Sequence, residues 1–189
     1  ATLFSALRSN PKLAGYSLTS IFDAGGAGEG VMDTFGTYKA GHLQMLQEGW
    51  APLRWCLLLN PTHIYADQPL RVCASLASED ALPPGDYPVT FTIHGSNGVV
   101  WTKKSTLAIK ANGPMAYPLI DEDIKVPNLT DGSYRLIAEL DNRPNAAASE
   151  APFQVTGRET LPQISGAVTV AGLAASARPF LFKQVYHLM

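Results

Sequence analysis

Carboxylates open the chemical inventory, because hydrolysis of a sugar commonly uses two of them, one as proton donor and one as nucleophile or base. Asp23, Glu29 and Asp33 share one short stretch of the chain. Asp23 ends the apolar run Leu13–Phe22 (LAGYSLTSIF) and faces the loop Gly25–Gly30 (GGAGEG). The end of a parallel strand followed by a glycine loop is where open and closed parallel sheets place ligand contacts. Asp23, Glu29 and Asp33 are therefore the candidate substrate-binding residues. Plainer roles stay open beside this one: Asp23 bonding loop backbone, and Glu29 simply solvated. No pair of acids takes the acid/base and nucleophile roles, so no catalytic residue is assigned.

Other chemistry is poorly supported. GGAGEG lacks the Lys-Ser/Thr ending of a phosphate loop and the spacing of a dinucleotide fingerprint. His42, His63, His94 and His187 are scattered, and two cysteines, Cys56 and Cys73, are too few for a zinc site or a disulfide framework. Asp121, Glu122 and Asp123 match no calcium loop and are expected in a solvated turn between strands. Neither a metal nor a cofactor is expected. Each cysteine reads as a half-buried strand residue. Trp50, Trp55 and Trp101 can stack on sugar rings or pack a domain junction, which buries more of their area. Asn128-Leu129-Thr130 matches a glycosylation acceptor, although a turn already explains those residues.

The elements that must position these residues change character near Trp50. Before it, Leu3, Phe4 and Leu7 predict a helix over Thr2–Arg8, stopped by Ser9, Asn10 and Pro11. Leu13–Phe22 reads as a strand covered on both faces. Leu43, Met45 and Leu46 predict a helix over Ala40–Gly49, with Gly49 in the left-handed position beyond its end. Helix, buried strand, glycine loop and helix is the order of a parallel α/β unit.

After Pro52 the apolar period is two. Tyr87, Val89, Phe91 and Ile93 share one strand face, as do Tyr134, Leu136, Ala138 and Leu140, and Leu70, Val72, Ala74 and Leu76. Ser96, Asn97 and Gly98 join Tyr87–His94 to Val99–Lys103 as a hairpin. Turn residues divide this part into about seven short strands, the pattern of an immunoglobulin-type sandwich. Leu-x-x-Gly-x-Tyr occurs twice, at Leu82, Gly85, Tyr87 and at Leu129, Gly132, Tyr134. Each copy predicts a tyrosine corner, in which the ring is buried and the hydroxyl bonds back to nearby backbone. No cysteine pair brackets a tryptophan, so the domain is not of antibody type.

The 189 residues allow one domain or two small ones, and a complete barrel of eight strands and helices, at about 250 residues, does not fit. Lys+Arg 14 against Asp+Glu 16 gives a net charge of -2, which removes the electrostatic case for nucleic acid or an anionic membrane as partner. No apolar run reaches the roughly 18 residues of a bilayer span. The charged fraction, 16%, lies below the roughly 25% usual in soluble domains, so part of the surface is expected to meet another domain. Ala1 is not a methionine and Met189 follows the apolar stretch Pro179–Tyr186, so both ends are expected to be cut. Residues 157–189 read as the start of a further module or as a C-terminal tail.

From Gly15 to Lys39 the sequence resembles the end of the catalytic barrel of family 2 glycoside hydrolases, the β-galactosidase and β-glucuronidase group. That group often carries G-Y-x-L-T-E-L-T-D, a loop, N-G-L-L-D and R-x-P-K. Here the pattern stands as Gly15, Tyr16, Ser17, Leu18, Thr19, Ser20, Ile21, Phe22, Asp23, then Gly30, Val31, Met32, Asp33 and finally Lys39. Ser20, Phe22, Glu29, Gly36 and Tyr38 replace the pattern's Glu, Thr, Asn, Arg and Pro. The resemblance implies a mainly β chain: residues 1–50 as the last strand and helix of a (β/α)8 barrel, then, through Trp50-Ala51-Pro52-Leu53, an immunoglobulin-like β-sandwich over 51–156. It also implies a parent that hydrolyses terminal β-glycosides with retention, its two catalytic glutamates on barrel strands upstream of this chain. The chain alone would then be inactive, its partners the upstream barrel segment of the same protein and a carbohydrate substrate. The other reading is a stand-alone immunoglobulin-like module that binds carbohydrate or protein, with the residues before Trp50 as a folded-back arm; a structural spacer is a third.

Overall fold

The alternating segments beyond Pro52 bury their apolar faces against one another as two sheets. The computed structural model describes residues 2–13, 15–141, 143 and 146–157. Its strands are β1 (Leu53–Asn60), β2 (His63–Tyr65), β3 (Leu70–Ser78), β4 (Gly85–Gly95), β5 (Gly98–Ile109), β6 (Ala116–Ile124), β7 (Gly132–Leu140) and β8 (Glu150–Thr156). One sheet runs β1-β3-β6 and the other β2-β8-β7-β4-β5. Every pairing is antiparallel except β2 with β8. This is a β-sandwich, and among the described residues no barrel closes.

The core follows the alternation. Tyr87, Val89, Phe91 and Ile93 of β4, Tyr134, Leu136, Ala138 and Leu140 of β7, and Leu70, Val72, Ala74 and Leu76 of β3 are all buried. Trp55 meets Phe91 edge to face across the two sheets, with ring centroids 5.5 Å apart. The β4–β5 hairpin turns through Ser96 and Asn97 as expected. Both tyrosine corners form: the Tyr87 hydroxyl donates to the Pro83 carbonyl at 2.7 Å, and the Tyr134 hydroxyl to the Thr130 carbonyl at 3.0 Å.

Two expectations about this part change. Asp121, Glu122 and Asp123 lie inside β6 rather than in a turn. They stay in a strand because β6 ladders along β3 and buries Ala116, Ile120 and Ile124, which leaves the acids toward solvent, where Arg71 on β3 reaches Asp121 at 2.5 Å and Lys103 on β5 reaches Glu122 at 2.5 Å. Cys56 is fully buried rather than half-buried, whereas Cys73 keeps partial exposure. The difference lies in a helix. β1 is covered by the opposite sheet on its Trp55 face and by α1 (Thr2–Arg8) on its Cys56 face.

That helix and α2 (His42–Gly49) form where the sequence places them. Gly49 is the last residue of α2 itself, not a left-handed residue after it. Its requirement is room: a Cβ there would sit 2.8 Å from the Phe4 ring. Phe4 is buried, edge-on to Tyr16 at 5.7 Å and to Trp50 at 5.9 Å, so one aromatic side chain joins both helices to the start of the sandwich.

Leu13–Phe22 does not become a strand covered on both faces. Its described residues belong to no ladder, and only Phe22 makes a bridge, parallel to Met32. Leu18 is 38%, Ile21 60% and Phe22 53% exposed. A parallel strand is held by neighbours along both edges, and no other strand of the described residues lies beside this one. The expectation for 157–189 falls, after Gly157, outside the described residues.

Candidate functional site

Asp23, Glu29 and Asp33 lie on a loop folded back on itself. Met32 donates its N–H to the Ile21 carbonyl at 2.8 Å, and Asp23 donates to the Met32 carbonyl at 3.0 Å. Between them the chain reverses at Ala24–Ala27, with a 2.9 Å bond from the Ala27 N–H to the Ala24 carbonyl. Beyond Met32 it reverses again, and Lys39 N–H returns to the Val31 carbonyl at 3.2 Å.

Two carboxylates hold these reversals in place. Asp23 Oδ1 accepts from the Gly30 N–H at 2.8 Å and from Lys39 Nζ at 2.7 Å, and the same ammonium donates to the Gly28 carbonyl at 2.7 Å. Asp33 Oδ1 accepts from the N–H groups of Phe35 and Thr37, at 2.9 and 2.8 Å. Gly30 fits this crossing only because it has no side chain. A Cβ would lie 2.3 Å from the Phe22 carbonyl carbon and 2.4 Å from the Asp23 nitrogen. Glu29 is exposed and makes no hydrogen bond or ion pair with the described residues.

The electrostatics agree with a strut. The Lys39 hydrogen bond, with help from the Gly30 N–H, holds the Asp23 carboxyl below its ordinary value of 3.8 against the opposing effect of partial desolvation. Asp23 is therefore ionised at neutral pH and cannot act as a proton donor there. Asp23 and Asp33 each spend an oxygen on backbone of their own loop, which for Asp23 is the plainer of the two roles open to it. Glu29, exposed to solvent, likewise stands in the plainer of its two roles. The sequence pattern brought Asp23, Gly30, Asp33 and Lys39 into one frame, and the structure joins Asp23, Gly30 and Lys39 directly.

Other candidates separate. His63 bonds Thr156 and His94 bonds Thr92, far apart in the fold, and among the described residues no group of three His, Cys, Asp or Glu side chains can hold a metal. No helix among them is long and apolar enough to cross a membrane. Of the tryptophans, Trp55 is core, Trp101 packs partly against it, and Trp50 is 49% exposed.

Sequence reasoning missed the two arginines that fix the loop-bearing arm to the sandwich. Arg8 is buried. Its Nη1 donates to the Gly49 carbonyl at 2.9 Å and the Ala51 carbonyl at 2.6 Å, and its Nη2 to Glu79 Oε1 at 2.7 Å. It thereby satisfies a carbonyl at the C-terminus of α2, where positive charge is favoured. Arg54, in β1, is 1% exposed. The available signal was weak: an arginine ending a short amphipathic helix, and an arginine preceding the core tryptophan in a strand.

No protein-family model matches the chain, and no curated protein matches it. Solved structures resemble it in part. The DNA glycosylase AlkC of Pseudomonas fluorescens is similar over 62% of this chain and 37% of its own, at 15% identity and a TM-score of 0.41. A β-glucuronidase of Parabacteroides merdae is similar over 55% of this chain and 13% of its own, at 17% identity and a TM-score of 0.36. A glycosyl hydrolase family 2 member of Bacteroides cellulosilyticus is similar over 55% and 15% respectively, at 17% identity and a TM-score of 0.35. The chain thus spans well under half the length of each.

Proposed function

We propose that this chain is the C-terminal part of a glycoside hydrolase resembling family 2. Residues 1–50 are the closing strand and helix of the catalytic barrel, and the β-sandwich over 51–156 braces them. The parent hydrolyses terminal β-glycosides by double displacement, and its two glutamates are carried by polypeptide upstream of Ala1. The loop from Asp23 to Asp33 lies at the substrate end of the barrel, where Asp23 and Asp33 shape the backbone and Glu29 faces the sugar.

One observation carries this reading: the arm is locally ordered yet apolar on its outside. The Asp23–Gly30–Lys39 junction fixes the loop, while Leu18, Ile21, Phe22, Phe35 and Tyr38 stay at least 38% exposed, Phe35 reaching 91%. Exposed Leu, Ile and Phe side chains along a stretch that joins no sheet are the kind of surface a parallel sheet buries against its neighbours.

Mixing the chain with the upstream barrel segment of the same reading frame tests this. Association, with release of nitrophenol from a nitrophenyl β-glycoside by the mixture and by neither part alone, is the expected result. No association and no turnover would overturn the proposal. Sugar binding by the isolated chain in a calorimetric titration would favour a stand-alone module.

A further inference from the structure

Beneath α1, two guanidinium groups are buried side by side in role but not in circumstance. Arg8 has a carboxylate and two carbonyls around it. Arg54 has a hydroxyl and a thiol: its Nη2 donates to Ser5 Oγ at 3.2 Å and its Nη1 to Cys56 Sγ at 3.4 Å. Its Nε–H has no acceptor among the described residues. Glu79, the acid in this cluster, is already bonded to Arg8.

An arginine cannot shed its charge inside a protein. A buried guanidinium held only by neutral groups is a net loss to stability, and a trapped water would answer the idle N–H without answering the charge. The idle Nε–H and the adjacent Nη2 form the side-on fork to which carboxylates bind through two parallel hydrogen bonds. We propose that Arg54 is a carboxylate-binding group, and that an anion enters beneath α1 and pairs with this fork. The carboxylate comes either from a small free acid or from an acidic side chain of a polypeptide that packs against the arm.

The test compares the thermal midpoint of the full chain with Arg54→Met and Arg54→Lys variants. Each is measured in sodium chloride, in sodium formate of equal ionic strength, and in chloride with an added acidic hexapeptide. In chloride, Arg54→Met is expected to melt about 4 °C or more above the wild type. Formate is expected to raise the wild-type midpoint by a similar amount and to leave Arg54→Met unmoved. Arg54→Lys keeps the charge without the fork, so it too loses the formate response. A rise with formate marks a free acid as sufficient; a rise with the hexapeptide alone marks a tethered side chain. Equal responses in wild type and Arg54→Lys, or no response to either carboxylate, overturn the proposal. An Arg54→Met protein that melts below the wild type in chloride also overturns it, because the charge would then already be compensated.

Discussion

At Gly30 the backbone of Phe22 and Asp23 passes where any side chain would begin. Gly30→Ala must therefore open the crossing rather than adjust a rotamer, a loss of about 2–4 kcal/mol confined to the arm. Amide exchange at residues 21–39 is expected to accelerate at least tenfold while exchange in β4 and β7 stays unchanged. Asp23 supplies a second prediction, with a definite sign. Its carboxyl is held below 3.8, so the folded loop binds that proton less readily than the unfolded chain does. The stabilisation is complete above the ordinary value and disappears as pH falls through the depressed one. Protection of the Gly30 amide, followed from pH 6 down to pH 2, should be lost only below about pH 4. Asp23→Asn should lower that protection at pH 6 and remove its acid dependence. The sequence made this junction legible through residue spacing, because Asp23, Gly30 and Lys39 are ordered within one short stretch. It could not decide whether Asp23 serves ligand or loop, since that depends on which donors the fold turns toward its oxygens.

Among the elements, what could be read was what depends on a segment's own periodicity. The inward faces of β3, β4 and β7 followed from alternation, and both corners from Leu-x-x-Gly-x-Tyr. What escaped depends on neighbours. β1 is buried on two faces because α1 lies over it, the acidic run stays in a strand because β3 pairs with β6 along its length, and Leu13–Phe22 forms no ladder because no other strand of the described residues adjoins it. The joint between α1 and the sandwich yields a comparison of magnitudes. Arg8→Ala removes a buried guanidinium from two carbonyls and a carboxylate, and hydrogen bonds from charged groups contribute about 1.5–3 kcal/mol each. Chemical denaturation is expected to show a loss of about 2–4 kcal/mol. Glu79→Gln keeps the two carbonyl bonds, and the Glu79 side chain is 50% exposed, so its pair is screened and its loss should stay within about 1 kcal/mol. Equal losses would show that the ion pair, rather than the carbonyl contacts, holds the helix.

Across the whole molecule, stability and exposed apolar surface lie in different places. The sandwich buries the aromatic and aliphatic faces of both sheets, and truncating one such side chain, as in Phe91→Ala, should cost about 3–5 kcal/mol. The arm, by contrast, presents Ile21 at 60%, Phe22 at 53% and Phe35 at 91% exposure. Such a surface binds apolar dyes and draws molecules together, and its side chains contribute little to the fold of the chain by itself. The combined substitution Ile21→Ser, Phe35→Ser is accordingly expected to lower anilinonaphthalene sulfonate fluorescence severalfold and to reduce concentration-dependent association in sedimentation. The midpoint of sandwich unfolding should shift by less than about 2 °C. A large fall in that midpoint would mean that the arm's apolar side chains belong to the sandwich core, and the proposal that they meet a barrel would lose its support.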